Sequence, residues 1–139
     1  MAINGKILMT GMVAANVIYK DEKFLLVQEK KIEAYGLWNL PAGRVEEGYS
    51  IEETATKEAK EETGYDVRLI KKIAILQDSA EELVKHVFQS EIIGGDLDVP
   101  EDEILDAKWF SLEEIRTMQG KLRNPWVLQS IEIFVTIAQ

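Results

Sequence analysis

The segment from Ser50 to Gly64 leaves this chain the least conformational freedom. Ser50 and Glu53 have the capping-box spacing, in which the hydroxyl accepts from the backbone N–H three residues on and the carboxylate accepts from the serine's own N–H. Gly64 suits the left-handed position just past a helix C-terminus. Start and stop together predict one helix over 51–63. Within it Ile51, Thr54, Ala55 and Ala59 define a face of small residues pressed against a sheet. Glu58, Glu61 and Glu62 follow at i, i+3 and i+4, which puts three carboxylates on one face within about one turn. They repel one another, and the partial negative charge of the helix C-terminus adds to the repulsion. A positive partner is therefore expected. Lys57 and Lys60 on the same helix are one source, giving a solvated acidic face. A hard divalent cation is the other, since Mg²⁺ takes carboxylate and water oxygens and keeps positions for substrate phosphates.

The segments around this helix read as strands and turns. Met12–Tyr19 and Phe24–Gln28 are β-rich runs joined by Lys20-Asp21-Glu22-Lys23, which predicts a hairpin. The apolar run Ile7 to Tyr19 after Lys6 superficially resembles a signal peptide. It is interrupted by Thr10, Gly11 and Asn16, lacks a clear cleavage site and is too short to span a bilayer, so it is read as a buried strand. Between Tyr35-Gly36 and Glu46-Glu47-Gly48, Pro41, Gly43 and their neighbours predict a loop without regular structure. Leu40-Pro41-Ala42-Gly43 would bring backbone close to the acidic helix face. Downstream, 67–77 and 83–93 are expected strands, with Gly94-Gly95 breaking the second, and 107–110 a shorter one. Ser111 and Glu114 repeat the capping-box spacing and open a helix to about Met118; Pro125 starts a final helix towards Ala138. No internal repeat or linker is visible. The pattern predicts one α+β domain over 1–139, a mixed sheet covered on both faces.

Composition excludes several classes. With 16 Lys plus Arg against 25 Asp plus Glu, the net charge is −9. No basic stripe interrupts it, so duplex nucleic acid is not an expected partner, whereas a small phosphorylated ligand held through cations is. The absence of cysteine removes disulfides, thiolate nucleophiles and Cys-based metal sites, and fits a cytoplasmic protein. The single histidine, His86, excludes multi-histidine metal sites and is given no role.

The stretch from Gly43 to Tyr65 resembles the Nudix box of the MutT-like hydrolases. That pattern is Gly, five residues, Glu, seven residues, Arg-Glu-U, one residue, Glu-Glu, one residue, Gly-U, with U a bulky apolar residue. Gly43, Glu58, Glu61, Glu62 and Gly64 match it in register. Trp38-Asn39-Leu40-Pro41-Ala42-Gly43 and Trp109-Phe110-Ser111-Leu112 also look like family landmarks. Two positions depart: Tyr49 stands where the pattern has its first Glu, and Lys57 where it has Arg. In the family these two side chains brace the loop against the helix; here a hydrogen bond or a cation–π contact between phenol and ammonium would take over. Ala59 and Tyr65 at the U positions are packing variations.

The resemblance implies a Nudix α/β/α sandwich with a catalytic loop-helix-loop. It implies water attack on a phosphorus of a nucleoside diphosphate linked to a further group, with Mg²⁺ as cofactor and Mn²⁺ as a substitute. Glu58, Glu61 and Glu62, helped by the Gly43 carbonyl, would hold the metal. Glu58 or Glu62 would accept the proton, and Glu103 on the acidic loop 100–103 would be a further ligand or base. Arg44 would meet a phosphate, Asn39 would read the base, and Phe88 or Trp126 would stack on it, with Trp38 and Trp109 as further aromatic candidates. Residues 123–126 resemble a region that closes over the base in related enzymes.

The leading expectation is hydrolysis of nucleoside di- or triphosphates, including oxidised ones of the 8-oxo-dGTP and 8-oxo-dGDP type. ADP-ribose or a nucleotide sugar is the alternative within the class. A non-catalytic nucleotide-binding regulator and an acidic cation-binding domain without turnover are the alternatives outside it. The protein is expected to be a cytoplasmic monomer or homodimer, with neither duplex nucleic acid nor membrane as partner.

Overall fold

The computed structural model describes residues 2–3, 6–7, 11–78 and 82–139. Nine strands are named in chain order: β1 (Ala2–Ile3), β2 (Lys6–Ile7), β3 (Gly11–Lys20), β4 (Lys23–Glu29), β5 (Trp38–Asn39), β6 (Ala42–Arg44), β7 (Tyr65–Asp78), β8 (Leu83–Gly95) and β9 (Ile104–Phe110). The α-helices are α1 (Ile51–Thr63), α2 (Leu112–Thr117) and α3 (Trp126–Ile137). Single 3₁₀ turns lie at Ile32–Ala34 and Gln119–Lys121.

Seven strands form one mixed sheet, and β1 and β2 pair separately. β3 is its centre: it pairs in parallel with β8 and antiparallel with β6, while β7 runs antiparallel along the far side of β8. β4 carries β5 and β9, both antiparallel. β3 and β4 pair only next to their turn, at Tyr19 with Phe24 and Lys20 with Lys23, and then diverge into two wings.

Residues 13 to 18 of β3 are all buried, which an antiparallel strand with one wet face cannot achieve. Alternation along the strand shows why. Ala15 and Val17 pack with Trp126, Val127, Ile131 and Phe134 of α3, whereas Ala14 packs with Ala55 of α1 and Ile18 with Ala59. Successive side chains leave opposite faces of a strand, so α1 and α3 cover opposite faces of the sheet. Helix α1 comes close because its buried residues, Thr54, Ala55, Ala59 and Thr63, are small. Its boundaries are those expected: Ser50 and Glu53 form both halves of the capping box, and Gly64 is left-handed at φ 84°.

Several expectations need correction. The loop between the hairpin and α1 contains β5 and β6, because β3 and β4 offer it free ladder edges at Ala15–Val13 and Val27–Gln28. Gly94 and Gly95 do not break β8; they pair with Asp66 and Tyr65, and both long strands extend beyond the expected ends. The expected strand from residue 7 is divided: Ile7 pairs with Ala2, β3 begins at Gly11, and residues 8–10 lie outside the described residues. Pro125 is the N-cap of α3, one place before the first helical position. Among the described residues no helix is long and apolar enough to cross a membrane.

The hairpin turn generates a test. Asp21 and Glu22 both have positive φ, 52° and 63°, a conformation that favours Asn-Gly. Replacing them by Asp21→Asn and Glu22→Gly is expected to stabilise the fold by about 1 kcal/mol, measured as a rise in thermal midpoint; an unchanged or lower midpoint would contradict this account of the turn.

Candidate functional site

The site begins with a buried polar residue in an apolar strand. Asn16 is fully buried on β3, and its amide nitrogen donates to the Pro41 carbonyl at 3.1 Å and the Ala55 carbonyl at 2.9 Å. Its side-chain oxygen accepts from the Ser90 hydroxyl at 2.8 Å, and its backbone N–H also bonds the Pro41 carbonyl at 2.9 Å. One side chain thus ties the loop before β6 to α1 and to β8. In consequence β6 lies directly against the acidic helix face. A Cβ on Gly43 would fall 2.3 Å from the Glu58 carboxyl carbon, so no larger residue fits without moving Glu58. The Ala42 N–H donates to Glu62 Oε1 at 3.0 Å.

The three carboxylates have different surroundings. Glu58 is largely covered, Glu61 is half-exposed, and Glu62 is half-buried beneath β6. Burial raises the Glu58 carboxyl above its usual range; Lys57 opposes this, while Glu61 and Glu103 add to it. Burial pushes Glu62 up further, against the Ala42 hydrogen bond and with help from the charges of Glu58 and Glu29. Lys57 Nζ lies 3.2 Å from Glu58 and 3.3 Å from Glu61, and 5.2 Å from the centroid of the Tyr49 ring. The cation–π alternative is therefore the one formed at the two departing positions. Its hydrogen bond to Glu58 raises the Lys57 pKa, so the ammonium stays charged. Lys60 pairs instead with Asp66 at 3.3 Å.

These donors suit a hard divalent ion, being oxygen alone and carrying crowded, partly desolvated negative charge. Among the described residues no three acidic or histidine side chains already converge as a ligand set. An ammonium bridging Glu58 and Glu61 occupies the electrostatic role that an ion would take.

Beside β6 a cleft of 230 Å³ runs across the sheet towards the start of α3, and Gly43 is part of its wall. Lys31, Arg44, Lys85 and Arg123 line it, a local excess of cations on a chain of net charge −9. Glu29 is buried and holds Arg123 at 3.0 Å; it also accepts a long hydrogen bond from the Asn39 amide, at 3.4 Å. Trp126 forms the aromatic side of the cleft.

The structure brings together most of the residues expected from sequence. Gly43, Glu58, Glu61 and Glu62 are neighbours, and the Glu103 charge acts on Glu58 from the 100–103 turn. Asn39, Arg44 and Trp126 line the cleft. The Asn39 oxygen is committed to its own turn, accepting from the Leu40 N–H at 2.8 Å. Phe88 is the correction: it packs with Ala14 and Ala55 on the α1 face, because it is an odd number of residues from Lys85 on β8 and points the other way. Trp38 is also core, edge-on to Phe110 with centroids 4.9 Å apart. Trp109 packs against the α1-side core. His86 lies 2.9 Å from Lys72; burial and that ammonium hold its pKa below the usual range. Asn16, Glu29 and Lys85 were not singled out by sequence, although Asn16 and Lys85 carry a signal, as polar residues in apolar strand runs.

A raised carboxyl pKa in the folded state means that the folded form binds its proton more tightly than the unfolded chain. For Glu62 the associated stability is present below the ordinary value of 4.5 and is lost as pH rises through the folded pKa. Glu62→Gln, which keeps an oxygen for the Ala42 N–H, is expected to melt higher than the wild type at pH 8 without metal, with the difference shrinking towards pH 5. A variant that melts lower at pH 8 would show that the charged carboxylate is stabilising.

Comparison with known proteins agrees with this geometry. The NUDIX domain family model matches residues 9–129. The 8-oxo-dGDP phosphatase NUDT18 of Danio rerio is 39% identical over 130 residues, covering 83% of this chain and 40% of that protein. The ADP-ribose pyrophosphatase of Methanocaldococcus jannaschii is 35% identical over 107 residues, covering 71% of this chain and 60% of that protein. The chain thus spans less than two thirds of the length of either relative. A Nudix hydrolase structure from Nitrosomonas europaea superposes with a TM-score of 0.81 at 30% identity, covering 92% of this chain and 90% of that one. With an acidic helix held under a glycine strand and a family match across most of its length, the chain belongs to the Nudix family.

Proposed function

We propose that this domain, as one unit over 1–139, is a divalent-metal-dependent hydrolase of nucleoside di- and triphosphates, with oxidised guanine nucleotides as the leading substrates. One observation carries the reading: the acidic face of α1 and the cation-lined cleft meet at Gly43. A diphosphate lying there would have its anhydride beside Glu58 and its nucleoside in the cleft. The NUDT18 resemblance supports the oxidised-guanine substrate. The archaeal relative makes ADP-ribose the second reading.

Glu58, Glu61 and Glu62, with the Gly43 carbonyl, would hold Mg²⁺ or Mn²⁺, and Glu103 would complete the acidic set. When bound, the ion neutralises phosphoryl oxygens and makes water a better nucleophile at neutral pH. Glu58 or Glu62 would receive the proton of the attacking water, since both carboxylates lie against the β6 backbone at the place where the anhydride would sit. Lys57 positions Glu58 and Glu61 from the side of Tyr49. Arg44 at the cleft rim meets the outer phosphate, while Trp126, buried in the α3-side core, would border the base as part of the cleft wall. Most of the rate gain would come from positioning and charge neutralisation, because the transition state spreads charge over phosphoryl oxygens. The proposed setting is the cytoplasm, with small nucleotides as ligands and no duplex nucleic acid or membrane as partner.

The test is a panel of 8-oxo-dGDP, 8-oxo-dGTP, their unoxidised forms, ADP-ribose and nucleotide sugars with Mg²⁺, with products separated by chromatography. Turnover of one substrate class is expected, falling by about 100-fold or more in Glu58→Gln and absent when the metal is chelated. Binding of nucleotide and Mg²⁺ without turnover of any compound would make the domain a nucleotide-sensing module.

A further inference from the structure

One guanidinium in the cleft wall is fixed from both ends. Arg123 Nε lies 3.0 Å from Glu29 Oε2, and the Arg123 backbone N–H donates to the Trp38 carbonyl at 2.7 Å. Glu29 is held in turn: its N–H donates to the Leu37 carbonyl and its carbonyl accepts from the Gly36 N–H, both at 2.8 Å. The Glu29 side chain is 10% exposed, whereas that of Arg123 keeps 30% of its surface open. A carboxylate engages one edge of a guanidinium that carries five N–H donors, so the others remain available to the cleft that Arg123 lines. Arg44 belongs to the β3–β6 wing and is exposed at the rim, while Arg123 is tied to the β4–β5 wing. The cleft thus has an arginine on each wall, and only one of them is held in place.

We infer that Glu29 is a positioning residue: it holds Arg123 so that the guanidinium meets the phosphate attached to the nucleoside, across the cleft from Arg44. This rests on the nucleotide-hydrolase reading above and deepens it. In that reading the outer phosphate lies with Arg44 and the nucleoside in the cleft, so the inner phosphate joins the two and passes the wall that carries Arg123. A buried ion pair adds little net stability, because desolvating both charges offsets their attraction. What it supplies here is orientation. A free arginine loses rotamer freedom when it takes up a phosphate, and one already held loses less. The planar guanidinium can keep a carboxylate on one edge and phosphoryl oxygens on another, which the point charge of an ammonium cannot do. The inner phosphate stays on the nucleoside whichever anhydride bond is cut, so the contact persists in the monophosphate product.

Calorimetry with GMP and with guanosine, which differ only by that phosphate, reads the contact without metal or turnover. Wild type is expected to bind GMP at least about tenfold more tightly than guanosine. Arg123→Gln should remove most of that ratio by weakening GMP, leaving guanosine within about twofold. Glu29→Gln separates two accounts by sign. Taking a negative charge out of the cleft strengthens phosphate binding through Coulomb attraction alone, whereas loosening Arg123 weakens it, by about threefold or more. In the double variant the ratio should equal that of Arg123→Gln, since Glu29 acts through Arg123. Equal wild-type affinities, an equal loss for guanosine in Arg123→Gln, or unchanged or tighter GMP binding in Glu29→Gln would overturn the proposal. Should Glu29→Gln fail to fold, Arg123→Lys takes its place: it keeps the charge without the second edge and is expected to lose most of the ratio, and a retained ratio would show that charge alone suffices. GMP binding that follows these variants without hydrolysis of any substrate would sink the hydrolase reading and leave the role of Glu29 standing.

Discussion

The site depends on how near the backbone of β6 comes to helix α1. Gly43 lies so close to Glu58 that a single methyl group would collide with its carboxylate, and the next backbone N–H, at Ala42, bonds Glu62. That approach does two things together. It desolvates two carboxylates, which raises their proton affinity and makes a cation nearby worth more, and it places a cleft wall beside them. Asn16 holds the approach from beneath, through the Pro41 and Ala55 carbonyls. Small residues on the buried side of α1 let the helix sink far enough for the contact to form.

Tyr49 and Lys57 show how such a site tolerates substitution at its brace. The Nudix pattern has Glu and Arg there; here the ammonium lies beside an aromatic ring and between two carboxylates. An ammonium is a compact point charge without the planar fork of a guanidinium, so it can serve Glu58, Glu61 and the Tyr49 ring together, but gives none of them bidentate geometry. The metal carboxylates of the pattern are retained. The cation of the brace is kept, its carboxylate partner is replaced by a neutral ring, and the directionality of the pair is relaxed.

Local features of the fold were legible in the sequence, and long-range ones were not. Ser50, Glu53 and Gly64 fixed α1 at both ends because caps act through hydrogen bonds a few residues apart. The spacing of Glu58, Glu61 and Glu62 was likewise enough to gather them on one helix face. The cleft draws on β3, β4, β5, β6, β8 and the start of α3, and its composition depends on the parallel register of β3 with β8. No local pattern encodes that register, so the sequence alone does not reveal that Lys85 lies on the cleft side of β8 and Phe88 on the α1 side. A shift of one residue along a strand exchanges cleft for core. β5 and β6 escaped notice for the same reason: each is only two or three residues long and exists because a distant strand edge accepts it.

The central claim is that the acidic face under Gly43 is where a divalent ion works. Anomalous scattering from crystals grown with Mn²⁺ tests it most directly, because it locates the ion without reference to turnover. The account predicts a peak coordinated by Glu58 with Glu61 or Glu62 next to the Gly43 backbone, with Lys57 turned away from the carboxylates. A peak confined to Asp96 and Asp98 beyond the end of α1, or Lys57 still bridging Glu58 and Glu61 at saturating Mn²⁺, would contradict it.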